Sequence, residues 1–166
     1  MNYLGFEEKK VKAVAKSLND LLANYHIYYQ NLRNFHWNIQ GQNFFELHNQ
    51  FELLYNDARI KIDEIAERVL TLRYRPMSTL SEYLDNSEVK EAKKVTDDVK
   101  MVQHILNDHK ILIDRMRKVL DAAGEVSDEG TVDMVGSFLE NLEKKSWMLD
   151  AWLGRKNLPT ANGIKS

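Results

Sequence analysis

An all-α, four-helix bundle with one long crossover is the fold this sequence predicts. Three observations carry the prediction. Apolar residues recur with a 3.6-residue period along four long stretches, the mark of amphipathic helices. Seven glycines and two prolines in 166 residues leave little material for the turns of a sheet protein. The gaps between the periodic stretches run short, long, short. That order joins two helical hairpins by one long connection.

The first helix is predicted from about Glu7 to Ile39, with the stripe Val11, Val14, Ala15, Leu18, Leu22, Tyr25, Tyr29 and Leu32. Gln40-Gly41-Gln42 breaks it, and Gly41 suits a helix C-terminus. Asn43 reads as the N-cap of the second helix, with Glu46 placed for a capping box. This helix runs to about Leu72, and Arg75-Pro76 ends the pattern. The connection from about Arg73 to Val95 carries Thr79 and Glu82, spaced for a short capped helix. Thr96 opens the third long helix, which reaches about Ala123 before Gly124; Ser127 opens the fourth, which reaches about Leu153 before Gly154. The polar tail 154–166 is expected to be loose. Short first and last connections make antiparallel neighbours. A single long crossover with a short helix in it is the ferritin-like arrangement, here one domain over residues 1–166.

Composition narrows the function. Hydrophobic residues at 43% and charged residues at 29% fit a soluble globular chain. Cysteine is absent, which excludes disulfides and thiolate metal sites. The opening MNYLGFEEKKVK lacks the apolar run of a signal peptide, and no stretch is long and apolar enough for a bilayer. A cytoplasmic protein is expected, with the nucleoid as the alternative location. A net charge of −2 provides no bulk basic field for nucleic acid.

Chemistry concentrates between Asn34 and Val69. His36, His48, Glu52, Asp63 and Glu67 are of the types that bind iron, zinc or manganese. On a helical wheel of the second helix, Phe51, Leu54, Tyr55, Ala58, Ile62, Ile65 and Val69 form the core stripe. His48, Glu52, Asp63 and Glu67 share a different flank with Phe45 and Leu70, which reads as a subunit contact. Fifteen residues part His48 from Asp63, roughly 22 Å along a helix. One chain cannot bring them to one metal. A twofold axis across the middle of this helix would set His48 and Glu52 opposite Asp63 and Glu67 of a second copy.

Taken singly, these residues have plainer readings. His48–Glu52 and Asp63–Glu67 are ordinary i, i+4 pairs of a solvated face. His36 reads as a hydrogen-bonded core histidine and Trp37 as packing. His104 and His109 read as surface residues. An intrabundle di-iron site needs Glu-x-x-His pairs, and the residues three before the five histidines are Ala23, Arg33, Phe45, Met101 and Leu106.

The run N-F-H-W-N-I-Q-G-Q-N-F-F-E-L-H, followed by I-D-E-I-A-E-R ending at Arg68, resembles the Dps family of miniferritins (DNA-binding proteins from starved cells). Helix pattern and length extend the resemblance over nearly the whole chain. It implies a hollow homododecamer built from twofold dimers, with a ferroxidase site at each twofold interface. Such shells oxidise Fe²⁺, favouring hydrogen peroxide over oxygen, and store ferric mineral against oxidative stress. Carried over, the ligands are His36 and His48 of one subunit with Asp63 and Glu67 of its partner. Glu52 stands where the family usually has Asp, and Trp37 stands near the site as a shield against one-electron oxidants. Iron is the implied metal, with zinc as a substitute. Acidic residues near the start of the last helix line the family's pores, which nominates Asp128, Glu129 and Asp133. DNA binding is expected to be weak: no basic residue precedes Phe6, and the last residues carry only Arg155, Lys156 and Lys165. The alternative is a nucleoid-binding shell whose metal site is vestigial or holds zinc.

Overall fold

A computed structural model describes residues 1–154. Its five helices are α1 (Glu8–Asn38), α2 (Phe44–Thr71), α3 (Leu80–Asn86), α4 (Asp98–Gly124) and α5 (Glu129–Trp152), and no strand occurs among the described residues. The four long helices form the all-α, ferritin-like bundle, with α3 in the crossover. Tight turns pair α1 with α2 and α4 with α5, and α1 packs on α4. The core is apolar where the periodicity places it, with Leu18, Leu22, Leu32, Phe51, Leu54, Ile65, Leu112 and Met116 buried. No described helix is long and apolar enough to cross a membrane.

Caps fix three of the starts, two of them one residue beyond the sequence expectation. Thr79 and Glu82 close the expected capping box on α3. α4 is capped by Asp97 rather than Thr96, its carboxylate accepting from the Lys100 N–H at 2.8 Å. α5 is capped by Asp128 rather than Ser127, which takes a left-handed φ of 55° in the turn. Asn43 occupies the N-cap position of α2 without capping it; its amide instead donates to Asp98 Oδ2 at 2.7 Å, tying the α1–α2 turn to the start of α4. Gly41 at φ 101° makes that turn possible, since only glycine adopts this conformation without strain.

The crossover is strapped along α1 by side-chain amides. Asn19 accepts from Met77 N–H at 2.7 Å and donates to the Arg75 carbonyl at 3.2 Å. One turn on, Asn24 accepts from the N–H groups of Glu88 and Val89 at 2.9 and 3.0 Å. Asn31 donates to the Lys90 carbonyl and accepts from Ala92 N–H, and Asn34 donates to the Ala92 carbonyl. These amides satisfy an extended backbone that has no strand partner. They also explain why four poor helix formers sit inside one helix.

A half-buried polar cluster ties α2 to α5. Asp57 of α2 is clasped by Lys61 at 2.6 Å and by Lys145 of α5 at 2.7 Å. Burial alone would raise the Asp57 carboxyl, but hydrogen bonds from Lys145 and Lys61 outweigh it and hold the group below the usual range. His109 corrects the surface reading, being buried with both ring nitrogens bonded, and His104 is half-buried. The spacing Ile105, His109, Leu112, Met116 is a core stripe, a signal the neighbouring Asp108 obscures.

Candidate metal centre

The end of α1 and the start of α2 bring His36 and His48 together. Their rings stack with centroids 3.8 Å apart and planes 19° apart. Each uses Nδ1 on the other's backbone carbonyl, His36 on His48 O and His48 on His36 O, both at 2.7 Å. A carbonyl can only accept, so both Nδ1 atoms carry the proton. Both Nε2 atoms are then left with lone pairs. Fixing the ligand tautomer through its other nitrogen is how proteins prepare histidine for a metal. Phe44 stacks on His48 at 5.0 Å, and Tyr55 meets His36 edge-on at 5.2 Å. The short turn through Gly41 sets this register. His36 is buried, as its plain reading had it, but its ring faces a second histidine rather than the core.

Glu52 lies one turn beyond His48, half-buried, with the Tyr55 hydroxyl 3.4 Å from Oε1. Asp63 and Glu67 lie far along α2, exposed, and the chain does not fold them back to the histidines. Among the described residues no group of three histidine or carboxylate side chains is close enough to hold a metal. One chain therefore presents two imidazoles at one end of a helix face and two carboxylates at the other. The strip between them is polar, with Asn49, Asn56 and Arg59 exposed, but bare apolar residues border it: Phe45 is 82% exposed, and Leu53, Ile60 and Leu70 are more than half exposed. Bare apolar side chains in such a row mark an interaction surface. Trp37 is exposed near the end of α1, with the Arg33 guanidinium 4.8 Å above its ring.

The three pore candidates separate. Glu129 and Asp133 are exposed. Asp128 corrects the pore reading, because its carboxylate is buried within the subunit. It caps α5, accepts from the Thr131 hydroxyl at 2.5 Å and pairs with the Arg68 guanidinium. Arg68 Nε also donates to Thr131 Oγ1 at 2.9 Å, so the end of α2 is locked to the start of α5. Gly130 leaves room for this crossing, since a Cβ there would come within 3.0 Å of the guanidinium. Arg68 ends the motif segment that carries Asp63 and Glu67, yet nothing in the pattern reveals its distant partner.

Comparison with known proteins agrees with this architecture. The ferritin-like domain family matches residues 15–158. The chain is 43% identical to the DNA protection during starvation protein of Porphyromonas gingivalis, over 89% of this chain and 93% of that one. The crystal structure of the Dps protein from Vibrio cholerae O1 superposes with a TM-score of 0.90 at 44% identity, over 92% of this chain and 96% of that one. That protein is described as a member of a broad superfamily of ferritin-like diiron-carboxylate proteins. Dps from Staphylococcus aureus superposes with a TM-score of 0.83 at 37% identity, over 86% and 96% of the respective chains. With the bundle, its single crossover and the paired histidines at the head of α2, these likenesses place the chain in the Dps family of miniferritins.

Proposed function

We propose that this protein is a cytoplasmic ferroxidase and iron store, assembling into a hollow dodecamer whose iron sites straddle twofold contacts. The observation that carries the reading is the reciprocal histidine clamp, which leaves both Nε2 atoms for a metal while no carboxylate among the described residues is placed to complete a site. The centre of α2 falls between Asp57 and Ala58, which is also the midpoint of His48–Glu67 and of Glu52–Asp63. Two α2 helices crossing antiparallel there would bury their exposed apolar residues and juxtapose the two half-sites. His36 and His48 of one subunit would then bind Fe²⁺ together with Asp63 and Glu67 of the partner subunit.

Each residue type has a task in that arrangement. Imidazole nitrogens accept Fe²⁺, and hard carboxylate oxygens favour the Fe³⁺ product. Few protein ligands leave positions for oxidant and for iron to depart. Two adjacent Fe²⁺ ions give one electron each to hydrogen peroxide, which becomes two waters on taking up two protons. That pairing avoids the hydroxyl radical that a single electron would release. Glu52 would serve a second iron, with a longer arm than the Asp usual at that position. Exposed Glu129 and Asp133 remain as candidates for guiding iron inward.

Anaerobic Fe²⁺ loading followed by separate additions of peroxide and oxygen tests the reading. Peroxide should oxidise about two Fe²⁺ per molecule, faster than oxygen does. Replacing His48, Asp63 or Glu67 by Ala should slow this while the shell persists. Parental rates in all three variants would sink the assignment.

DNA should bind weakly near neutral pH and physiological salt, because a net charge of −2 gives little phosphate neutralisation. Arg155, Lys156 and Lys165 lie outside the described residues. Gel retardation at physiological salt, with a steep salt dependence, would favour a DNA-binding shell with a vestigial or zinc-filled site.

A further inference from the structure

We propose that Tyr28, buried in the bundle, is a one-electron donor that hands its proton to His109, and so quenches radical equivalents that escape the iron site. The source of the oxidant rests on the function proposed above; the tyrosine–histidine pair stands on its own geometry.

The hydrogen-bond chain fixes every proton. Ser146 Oγ donates its one hydrogen to the Leu142 carbonyl at 2.8 Å. It can therefore only accept from His109 Nδ1, also 2.8 Å away. His109 Nε2 is then a bare lone pair, and the Tyr28 hydroxyl donates to it at 2.8 Å. Burial, with the Lys145 and Lys61 ammoniums adding to it, pushes the imidazole down to about 3, so it is neutral and ready to accept.

Tyr25 supplies the contrast. It lies edge-on to Tyr28 at 6.0 Å and is equally buried, but its hydroxyl has no partner. A phenol that loses an electron must also lose its proton, and Tyr25 has nowhere to send one. Tyr28 has an acceptor within hydrogen-bond distance, His109 Nε2. Ring contacts run from the histidine pair as far as Tyr29, and the backbone joins Tyr29 to Tyr28. His36 meets Tyr55 at 5.2 Å, Tyr55 meets Tyr29 at 6.1 Å, and Tyr29 is the chain neighbour of Tyr28.

The step balances as follows. A lone Fe²⁺ that meets hydrogen peroxide gives one electron, leaving Fe³⁺, hydroxide and a hydroxyl radical. The radical takes an electron through Tyr55 and Tyr29 and becomes hydroxide. Tyr28 supplies that electron and its O–H proton moves to His109 Nε2, leaving a neutral tyrosyl radical beside an imidazolium. A later Fe²⁺ returns an electron to Tyr28, and His109 returns the proton. The two ammoniums near His109 disfavour a lasting imidazolium, which makes the pair reversible.

Electron paramagnetic resonance on the assembled protein tests this with two oxidants. One is ruthenium(III) tris-bipyridine generated by light; the other is peroxide added to sub-stoichiometric Fe²⁺. A tyrosyl signal surviving for seconds should form with both, be lost in Tyr28→Phe and His109→Gln, and persist in Tyr25→Phe. Light scattering checks that each variant still assembles. A parental signal in Tyr28→Phe, or equal loss in Tyr25→Phe, overturns the proposal. A shell that oxidises iron but forms the radical only with the ruthenium oxidant overturns the route from the iron site. A shell that oxidises no iron overturns the ferroxidase reading, and the ruthenium experiment then decides on Tyr28 by itself.

Discussion

Mixing two inactive variants should restore about a quarter of the iron sites. His48→Ala and Asp63→Ala each remove one half of every site, so each alone should be inactive. When the two are unfolded, combined in equal amounts and refolded, random pairing makes about half of the twofold dimers mixed. In a mixed dimer one site collects both lesions. The other takes His48 from the Asp63→Ala chain and Asp63 from the His48→Ala chain, and is whole. Peroxide-driven Fe²⁺ oxidation should therefore rise from near zero to about a quarter of the parental rate per chain. No mixture could do this if the ligands belonged to one chain. Persistent inactivity, with mixed dimers confirmed by mass spectrometry, would rule out the shared site.

Asp128→Ala should be the most damaging single substitution for stability outside the apolar core. It removes the α5 cap, a loss of about 1 kcal/mol. It also strands the Arg68 guanidinium, whose side chain is 18% exposed, opposite an empty place. Breaking a buried pair by deleting one partner costs about 3–5 kcal/mol. Asp128→Asn keeps one capping oxygen but loses the charge and one of the two acceptors that Thr131 and Arg68 use, so it should fall between Asp128→Ala and the parent. Urea unfolding followed by far-ultraviolet circular dichroism, at one fixed protein concentration, gives the comparison. An Asp128→Ala midpoint equal to the parent's would show that the lock is dispensable.

Much of the fold is written in the local pattern. The 3.6-residue stripes, the break at Gly41 and the Thr79–Glu82 spacing place all five helices. The histidine pair is legible too, because a short turn joins the helix ends that carry it. Periodicity reports burial and says nothing about partners. Asn24 and Asn31 carry no local signal of their role, yet each is buried against an extended stretch of crossover more than fifty residues away. His109 looks solvated beside Asp108, and its tyrosine partner lies 81 residues earlier. Asp128 looks like a free first-turn acid, and its partner Arg68 lies 60 residues earlier. Where the side chain meets something local, the sequence is informative; where it meets a distant element, only the tertiary arrangement reveals the role.

The asparagine strap has a consequence for the order of folding. Contacts between α1 and α2, and between α4 and α5, join neighbours in the chain. Local contacts of this kind form fast because little chain must be closed to make them. The bonds from Asn19, Asn24, Asn31 and Asn34 to the crossover span 56 to 65 residues. Their larger loop-closure cost predicts that they form after the α1–α2 hairpin. In that order the first hairpin serves as the template for the crossover, which sets where the second hairpin docks. A wrong-way connection would leave those backbone groups without their amides, so the strap selects one of the topologies that four helices could adopt.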